Sequence, residues 1–386
     1  MCGIAGIFRR GGAPIEAERL VAMRDDQRHR GPDAEGLHVV PHAGLAFNRL
    51  AIIDLSPAAN QPMVLPDDGL AIVFNGEIYN FREVRAQLEA EGHAFTTKSD
   101  TEVILRGYRA WGLDVVPRLD GMFAMAIWDP GRRTMHLVRD RLGKKPLFYS
   151  DAGGEVVFAS EVRALTRGLA HRPPPSARAI DSYLAFLAVP GEMSIWEGVH
   201  KLPPASILSC TLDGATMRRY WRLKFDAPRI EDENEALERL DTHLFEATKR
   251  RLISDVPLGA FLSGGVDSSA VVAQMARATG KVRTFTITLA DAAHDESPWA
   301  RMVADALGTE HQEIRVEPDA AAILPRLVWH YGEPFADSSA IPSYYVSQAT
   351  RRAVTVVLNG DGGDEGFAGY GWHRAAHLAA WYRRNF

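Results

Sequence analysis

The run PLGAFLSGGVDSSAVVAQMARAT, residues 257–279, leaves few folds open. Its opening reads as a strand, the glycines at 264 and 265 compel a tight turn, and the apolar spacing over 268–279 predicts a helix. A strand that passes through glycine straight into a helix is the repeating unit of an open parallel sheet with helices on both faces. The pattern continues: VRTFTITL (282–289), EHQEIRV (310–316) and AVTVVL (353–358) predict three further strands. Between them Ser297-Pro298 predicts a helix start, with serine as N-cap and proline in the first helical position.

The turn itself has chemistry. Gly264 and Gly265 let the backbone come close to an anion, and Ser268 and Ser269 add hydroxyls. The helix that follows presents free N–H groups at its positive end. The lysine of the GxxxxGK[ST] loop is replaced by Asp267. A carboxylate beside phosphates calls for an intervening cation, which implies Mg²⁺. SGGVDSS (263–269) resembles the pyrophosphate-binding loop of the ATP pyrophosphatases, and NGDGGDEGFAGY (359–370) resembles a stretch of the asparagine synthetases. TFTITL, the DES at 295–297 and EPFADSSAIPSYY (333–345) fit the same pattern. The resemblance implies ATP cradled by Ser263, Gly264, Gly265, Asp267, Ser268 and Ser269, with Leu262 and Ile287 bordering the adenine. It implies that Asn359 and Gly360 touch the nucleotide, that Asp267 and Asp364 hold Mg²⁺, and that Asp361 assists adenylation or deprotonates ammonia. Asn359 stands where the family usually has serine, and Asp361 is one methylene shorter than the usual glutamate. That difference shifts an acid by about 1 Å, enough to affect rate.

The first half of the chain has a different rhythm. Strands are predicted at 3–8, 44–53, 70–75, 122–128, 134–139 and 155–160, with helices at 80–91, capped by Asn80, and at 100–111. Strands in runs with helices grouped around them predict an α+β layered domain. The chain begins MCGIAGIF, so removal of Met1 makes Cys2 the N-terminal residue. Its own α-amino group, with an ordinary pKa of roughly 7.7–8.0, is then a neighbouring base for the thiol. This start, followed in order by RGPDAEG (30–36), NRLAIIDL (48–55), NGEIYNF (75–81), SDTEVIL (99–105) and RDRLGKKPLFY (139–149), resembles the class II, N-terminal-nucleophile glutamine amidotransferases. The resemblance implies an αββα sandwich in which Cys2 attacks the side-chain amide of glutamine.

Attack on an amide creates a tetrahedral oxyanion that needs preorganised donors. By resemblance the Asn75 side chain and the Gly76 N–H supply them. Arg49 suits a bidentate grip on the substrate α-carboxylate, and Glu77 and Asp100 suit its α-ammonium. His29, Asp33 and Asp54 are expected to shape the pocket, and Cys210 to be a small buried hydrophobe.

These readings divide the chain into a glutaminase domain over 2–170, a connector over 171–234 that finishes it and leads on, and an ATP-pyrophosphatase domain over 235–386. HRPPPSAR (171–178) reads as a stiff connector and DAPRIEDEN (226–234) as a charged linker. A net charge of −5 without a basic run excludes a nucleic-acid-binding face, and no apolar run is long enough to span a membrane. Only two cysteines and no signal peptide point to the cytoplasm, and a homodimer is compatible with all of this.

The combined expectation is a glutamine-dependent enzyme in which ammonia passes internally to an acyl-AMP formed from ATP and aspartate. Two alternatives stay open. One is the same architecture acting on an exopolysaccharide or natural-product carboxylate. The other is a binding protein that keeps the fold without catalysis. Members of the resembled family continue past the position of Phe386, into a part that holds a lysine for the pyrophosphate leaving group. The expectation is therefore that glutaminase activity survives in this chain and synthetase activity is weak or absent.

Overall fold

The computed structural model describes every residue except 12, 227–229, 289–290 and 292–294. Contacts gather the chain into two units, Met1–Ala227 with Ala321–Ser338, and Pro228–Ala320 with Ser339–Phe386.

The first unit contains strands β1 (Gly3–Arg9), β2 (Ala34–Val40), β3 (Ala43–Arg49), β4 (Met63–Val64), β5 (Ala71–Ile78), β6 (Gly121–Asp129), β7 (Thr134–Arg139), β8 (Phe148–Ala152), β9 (Glu155–Ala159), β10 (His200–Lys201), β11 (Ser206–Thr211) and β12 (Gly214–Arg219). They form two six-stranded sheets, ordered β10-β8-β9-β1-β3-β2 and β12-β11-β7-β6-β5-β4. The ladders are antiparallel, so alternate side chains point to opposite faces. In β1, Ile4 and Phe8 enter the core between the sheets with Phe47, Val73, Trp128, Leu137 and Phe158. Ala5 and Ile7 face the other way, into a second core with Leu20, Met23 and Leu165. Helices α1 (Ala17–Asp26) and α4 (Val162–Gly168) supply that outer layer. Helices α2 (Phe81–Ala90) and α3 (Asp100–Trp111) lie on the side of the second sheet, with α3 packed on β5. This is the αββα sandwich, and helix α5 (Ala177–Phe186) and the helix Ala320–Tyr331 are appended to it.

The second unit begins with α6 (Glu233–Arg250). It continues as β13 (Leu258–Phe261), α7 (Val266–Thr279), β14 (Arg283–Thr288), α8 (Ser297–Leu307), β15 (Glu310–Arg315) and β16 (Val356–Leu358). The strands form one parallel sheet, β15-β14-β13-β16. Its core combines Ala260 and Leu262 with Val272, Met275, Ala300 and Ala304 from α7 and α8.

Most predicted strands and helices match to within a few residues. Within 171–234, β11 pairs with β7, so the second sheet runs on to residue 219. Three differences stand out. Residues 321–338, placed by the sequence in the second domain, cluster with the first unit. Ser297 is the first helical residue of α8 rather than its cap, because its hydroxyl bonds the Asp295 carboxylate at 2.9 Å. Asn80 occupies the cap position of α2 but spends its amide on Arg118 O (2.9 Å) and Asp120 N (2.8 Å). Residues 289 and 227–229 of the predicted strand and linker lie outside the described residues.

Candidate active site

Cys2 precedes the central strand of the first sheet. The β1–β3 register pairs Gly3 with Asn48 and so brings the thiol beside the end of β3. There the Leu50 N–H points at Cys2 Sγ (3.4 Å). The Cys2 carbonyl accepts from Arg30 Nε at 2.9 Å, and Arg30 Nη1 is fixed by Glu161 at 3.0 Å. Burial pushes the thiol pKa up, while the Leu50 bond and the positive charges of the chain terminus and Arg30 pull it down.

Strand β5 carries the next group of residues. Phe74 N–H donates to Gln61 Oε1 (2.6 Å) and Ile78 N–H to Asp100 Oδ2 (3.1 Å), both on the edge away from β6. The period of two puts the Gly76 N–H on that same edge. A side chain at Gly76 is forbidden on steric grounds, since its Cβ would stand 2.2 Å from Met122 O. The glycine is thus demanded first by β6, a constraint the sequence alone did not show. Asn75 is 1% exposed, and its side-chain Nδ2 is buried without a protein partner. A buried amide donor left unsatisfied is uncommon and costly, and it marks a place prepared for an acceptor.

Ser99 caps α3 by accepting the Thr101 N–H at 3.0 Å, which makes Asp100 the first helical residue and aims it at the β5 edge. Burial pushes the Asp100 carboxyl up to about 6, against opposing N–H bonds from Ile78 and Thr101. The folded chain therefore holds this proton more tightly than the unfolded chain, whose carboxyl has the ordinary value of 3.8. From this group alone the unliganded protein loses stability as pH rises from about 4 to about 6. An ammonium ligand needs the ionised form, so with Asp100 as the group that receives the glutamine ammonium the expected result is a KM that rises as pH falls below about 6. Asp100→Asn flattens that dependence and raises KM at least about tenfold at neutral pH, checked by initial rates across the pH range.

Arg49 is buried at the end of β3, and its guanidinium is already engaged. Nη1 bonds Ser56 O (2.9 Å) and Asn60 Oδ1 (2.7 Å), and Nη2 bonds Asp54 O. Glu77 is buried on β5. Asp54 accepts from Ser56 and from Lys98 N (2.7 Å), Asp33 from Ala51 N (2.8 Å), and His29 bonds Glu161 (2.9 Å). These three shape the loops around Cys2. Cys210 is fully buried between the sheets. Arg30, Gln61 and Lys145 also line this region and were not singled out from sequence. Arg30 and Lys145 lie inside matching stretches, whereas nothing in the sequence marks Gln61.

In the second unit the loop after β13 is held by its own serines. Ser263 Oγ and Ser268 Oγ lie 2.9 Å apart, Gly265 N–H donates to Ser263 Oγ (3.2 Å), and Ser269 Oγ is buried without a partner. Gly264 has φ +81°, and a Cβ there would lie 2.5 Å from the Trp299 backbone. Because β13 and β16 are neighbours, the turn at 359–364 stands against this loop. A Cβ on Gly360 would lie 2.9 Å from Asp267 Cβ, and one on Gly363 would lie 2.2 Å from the Asp267 carboxylate. Asp364 follows immediately, in the helix Gly363–Phe367. Asp361 is exposed and its Oδ2 accepts from Asn359 Nδ2 at 2.7 Å. Leu262 is 1% exposed in the core, so only its backbone is available to a ligand, whereas Ile287 on β14 is half-buried. Among the described residues no group of three or more His, Cys, Asp or Glu could hold a metal. Two carboxylates completed by phosphate oxygens are the usual protein share of a Mg²⁺ site, and the Asp267 carboxylate lies against Gly363, the residue before Asp364. Gly264→Ala is expected to abolish binding of ATP with Mg²⁺, read by calorimetry, and to leave glutamine hydrolysis unchanged.

Two packed antiparallel sheets with a thiol at the start of a central strand, continued by a parallel sheet with a glycine-serine loop, define the class: an N-terminal-nucleophile amidotransferase joined to a nucleotide-dependent synthetase domain. The glutamine amidotransferase domain family matches residues 1–221, and the asparagine synthase family matches 239–386. The putative asparagine synthetase [glutamine-hydrolyzing] 2 of Methanocaldococcus jannaschii is 38% identical, over 97% of this chain and 76% of that protein. Asparagine synthetase [glutamine-hydrolyzing] 1 of Bacillus subtilis is 35% identical over 97% of this chain. A Penicillium rubens protein called amidase chyE is 32% identical over 98% of it. The chain spans 60% of the length of each of the latter two. The chain belongs to the family of the glutamine-hydrolysing asparagine synthetases. Among the described residues no helix is long and apolar enough to cross a membrane.

Proposed function

We propose that this chain hydrolyses glutamine at Cys2 and uses the ammonia to amidate aspartate activated by ATP, giving asparagine, AMP and pyrophosphate. The observation that carries the reading is the buried, unpartnered Asn75 Nδ2 beside the open edge of β5, in the unit where Cys2 starts β1. After Met1 is removed, the Cys2 amine takes the thiol proton and the sulfur attacks the glutamine amide carbon. Asn75 Nδ2 and the Gly76 N–H receive the developing oxyanion. The amine returns the proton to the departing nitrogen, releasing ammonia and leaving a thioester that water hydrolyses to glutamate. Asp100 and Glu77 hold the substrate ammonium. Arg49 holds the carboxylate by giving up or sharing one of its loop contacts.

In the second unit the loop 263–269 receives the ATP phosphates, with backbone N–H groups and serine hydroxyls as donors. Mg²⁺, when bound by Asp267 and Asp364, would neutralise phosphate charge there. The activated carboxylate is attacked by ammonia, with Asp361 as the group that takes a proton, and AMP leaves. One relative carries the name amidase instead of asparagine synthetase, and in a second reading the acceptor is another carboxylate. A panel of carboxylic acids, assayed for glutamine- and ATP-dependent pyrophosphate and amide formation, tests both. The proposal expects aspartate to turn over. An inert aspartate with turnover of another acid establishes the second reading, and no turnover of any acid removes the synthetase assignment for this chain.

A further inference from the structure

Lys145 sits in the tight turn that follows β7, where the Asp140 carboxylate gathers the N–H groups of Phe123, Leu142, Lys144 and Lys145 at 3.0–3.1 Å. The Lys145 carbonyl accepts from Arg139 Nε at 2.8 Å, so the backbone of this lysine is fixed from both sides. Its side chain then runs inward, and the residue is 7% exposed. Its ammonium donates to the Met1 sulfur at 3.1 Å. Met1 is the residue whose removal creates the catalytic amine, and the ammonium stands close enough to Cys2 for their charges to interact. A rigid, water-excluded cation delivered to this position is expensive.

We infer that Lys145 is a positioning residue for charge: its ammonium keeps the Cys2 α-amino group unprotonated at neutral pH and stabilises the thiolate beside it. The inference rests on the glutaminase reading above.

Two like charges within about 10 Å of one another in a medium of effective dielectric ~20 displace each other's pKa by about one unit or more. A protonated amine next to Lys145 is disfavoured and the free base, which must accept the thiol proton, is favoured. The other charged groups around the site are Arg30 on the Cys2 carbonyl, Glu77 on β5, Asp100 at the start of α3 and Asp140 in the turn. Arg30 acts in the same direction as Lys145. Asp140 is spent on four N–H groups of its own turn, and Asp100, ionised above about pH 6, is an opposing charge that the substrate ammonium takes up. Glu77 is a second opposing charge and helps keep the lysine ionised while burial works the other way.

The test uses the full chain with Met1 removed, verified by intact mass. The kcat/KM for glutamine hydrolysis is measured between about pH 5.5 and 9.5 for the wild type, Lys145→Met and Lys145→Arg, together with the rate of Cys2 alkylation by iodoacetamide. The acid limb of Lys145→Met moves up by about one pH unit in both measurements, and that of Lys145→Arg stays in place. An unmoved limb in active Lys145→Met overturns the inference. So does an equal shift in Lys145→Arg, or a change confined to KM at every pH, which would mean that the lysine only offsets Glu77. If Lys145→Met melts early, Lys145→Gln is read by the same criteria, and failure of both to fold assigns Lys145 to stability and overturns the inference. A wild-type chain without glutaminase activity sinks the underlying reading instead, a result distinct from an unmoved limb in an active enzyme.

Discussion

Cys2→Ala lowers glutamine hydrolysis by at least about 10³-fold and leaves the melting temperature within a few degrees of the wild type. The asymmetry follows from where the residue sits. Cys2 is half-buried ahead of β1, and the ladder that holds the strand begins only at Gly3. The packing of β1 rests on Ile4, Ala5, Ile7 and Phe8, none of which touches the reaction. Truncating the thiol removes one sulfur and its contact with Leu50, a loss on the scale of an ordinary substitution. Chemically the loss is total, since the alanine variant retains an amine but no nucleophile. Ammonia-dependent activity of the second unit, where present, is unaffected.

Asn75→Ala lowers kcat about 10²–10³-fold with little change in KM. The amide nitrogen has no protein partner to lose, so the variant sheds an interaction that forms only when charge develops on the substrate oxygen. Asn75→Asp is expected to be at least as damaging, because it replaces the donor by an acceptor of like charge. Gly76 offers no comparable test. Any side chain there collides with Met122 O in the neighbouring strand, so a substitution disturbs the β5–β6 ladder before it reports on an oxyanion.

Much of this was legible in the residues because the constraints are local. The glycine turn at 264–265 and the alternation in β1, β5, β6 and β7 depend on neighbours a few positions away, and those elements emerged within a few residues of expectation. Non-local features were hidden. The prolines of 171–178 read as a connector that finishes the first domain, but that β11 beyond them pairs with β7 depends on residues far back in sequence. The same applies to 321–338, whose helical pattern gives no hint of its partner unit. At the site, Asn75 and Asp100 could be nominated by residue type. That the Asp100 carboxyl is buried enough to be raised, or that Arg49 already serves the carbonyls of 54 and 56, depends on packing. Lys145 is a basic residue in a sequence with many others, and only its burial sets it apart.

The central claim is that Cys2, freed of Met1, is the nucleophile for glutamine. Incubation with an electrophilic diazoketone analogue of glutamine, followed by intact mass and peptide mapping, tests it most directly. The account predicts a single adduct on the N-terminal peptide beginning at Cys2, slowed by added glutamine, with Cys210 unmodified and hydrolysis lost in proportion. An adduct on Cys210, or full glutamine hydrolysis by protein that retains Met1 or carries Cys2→Ala, would contradict it.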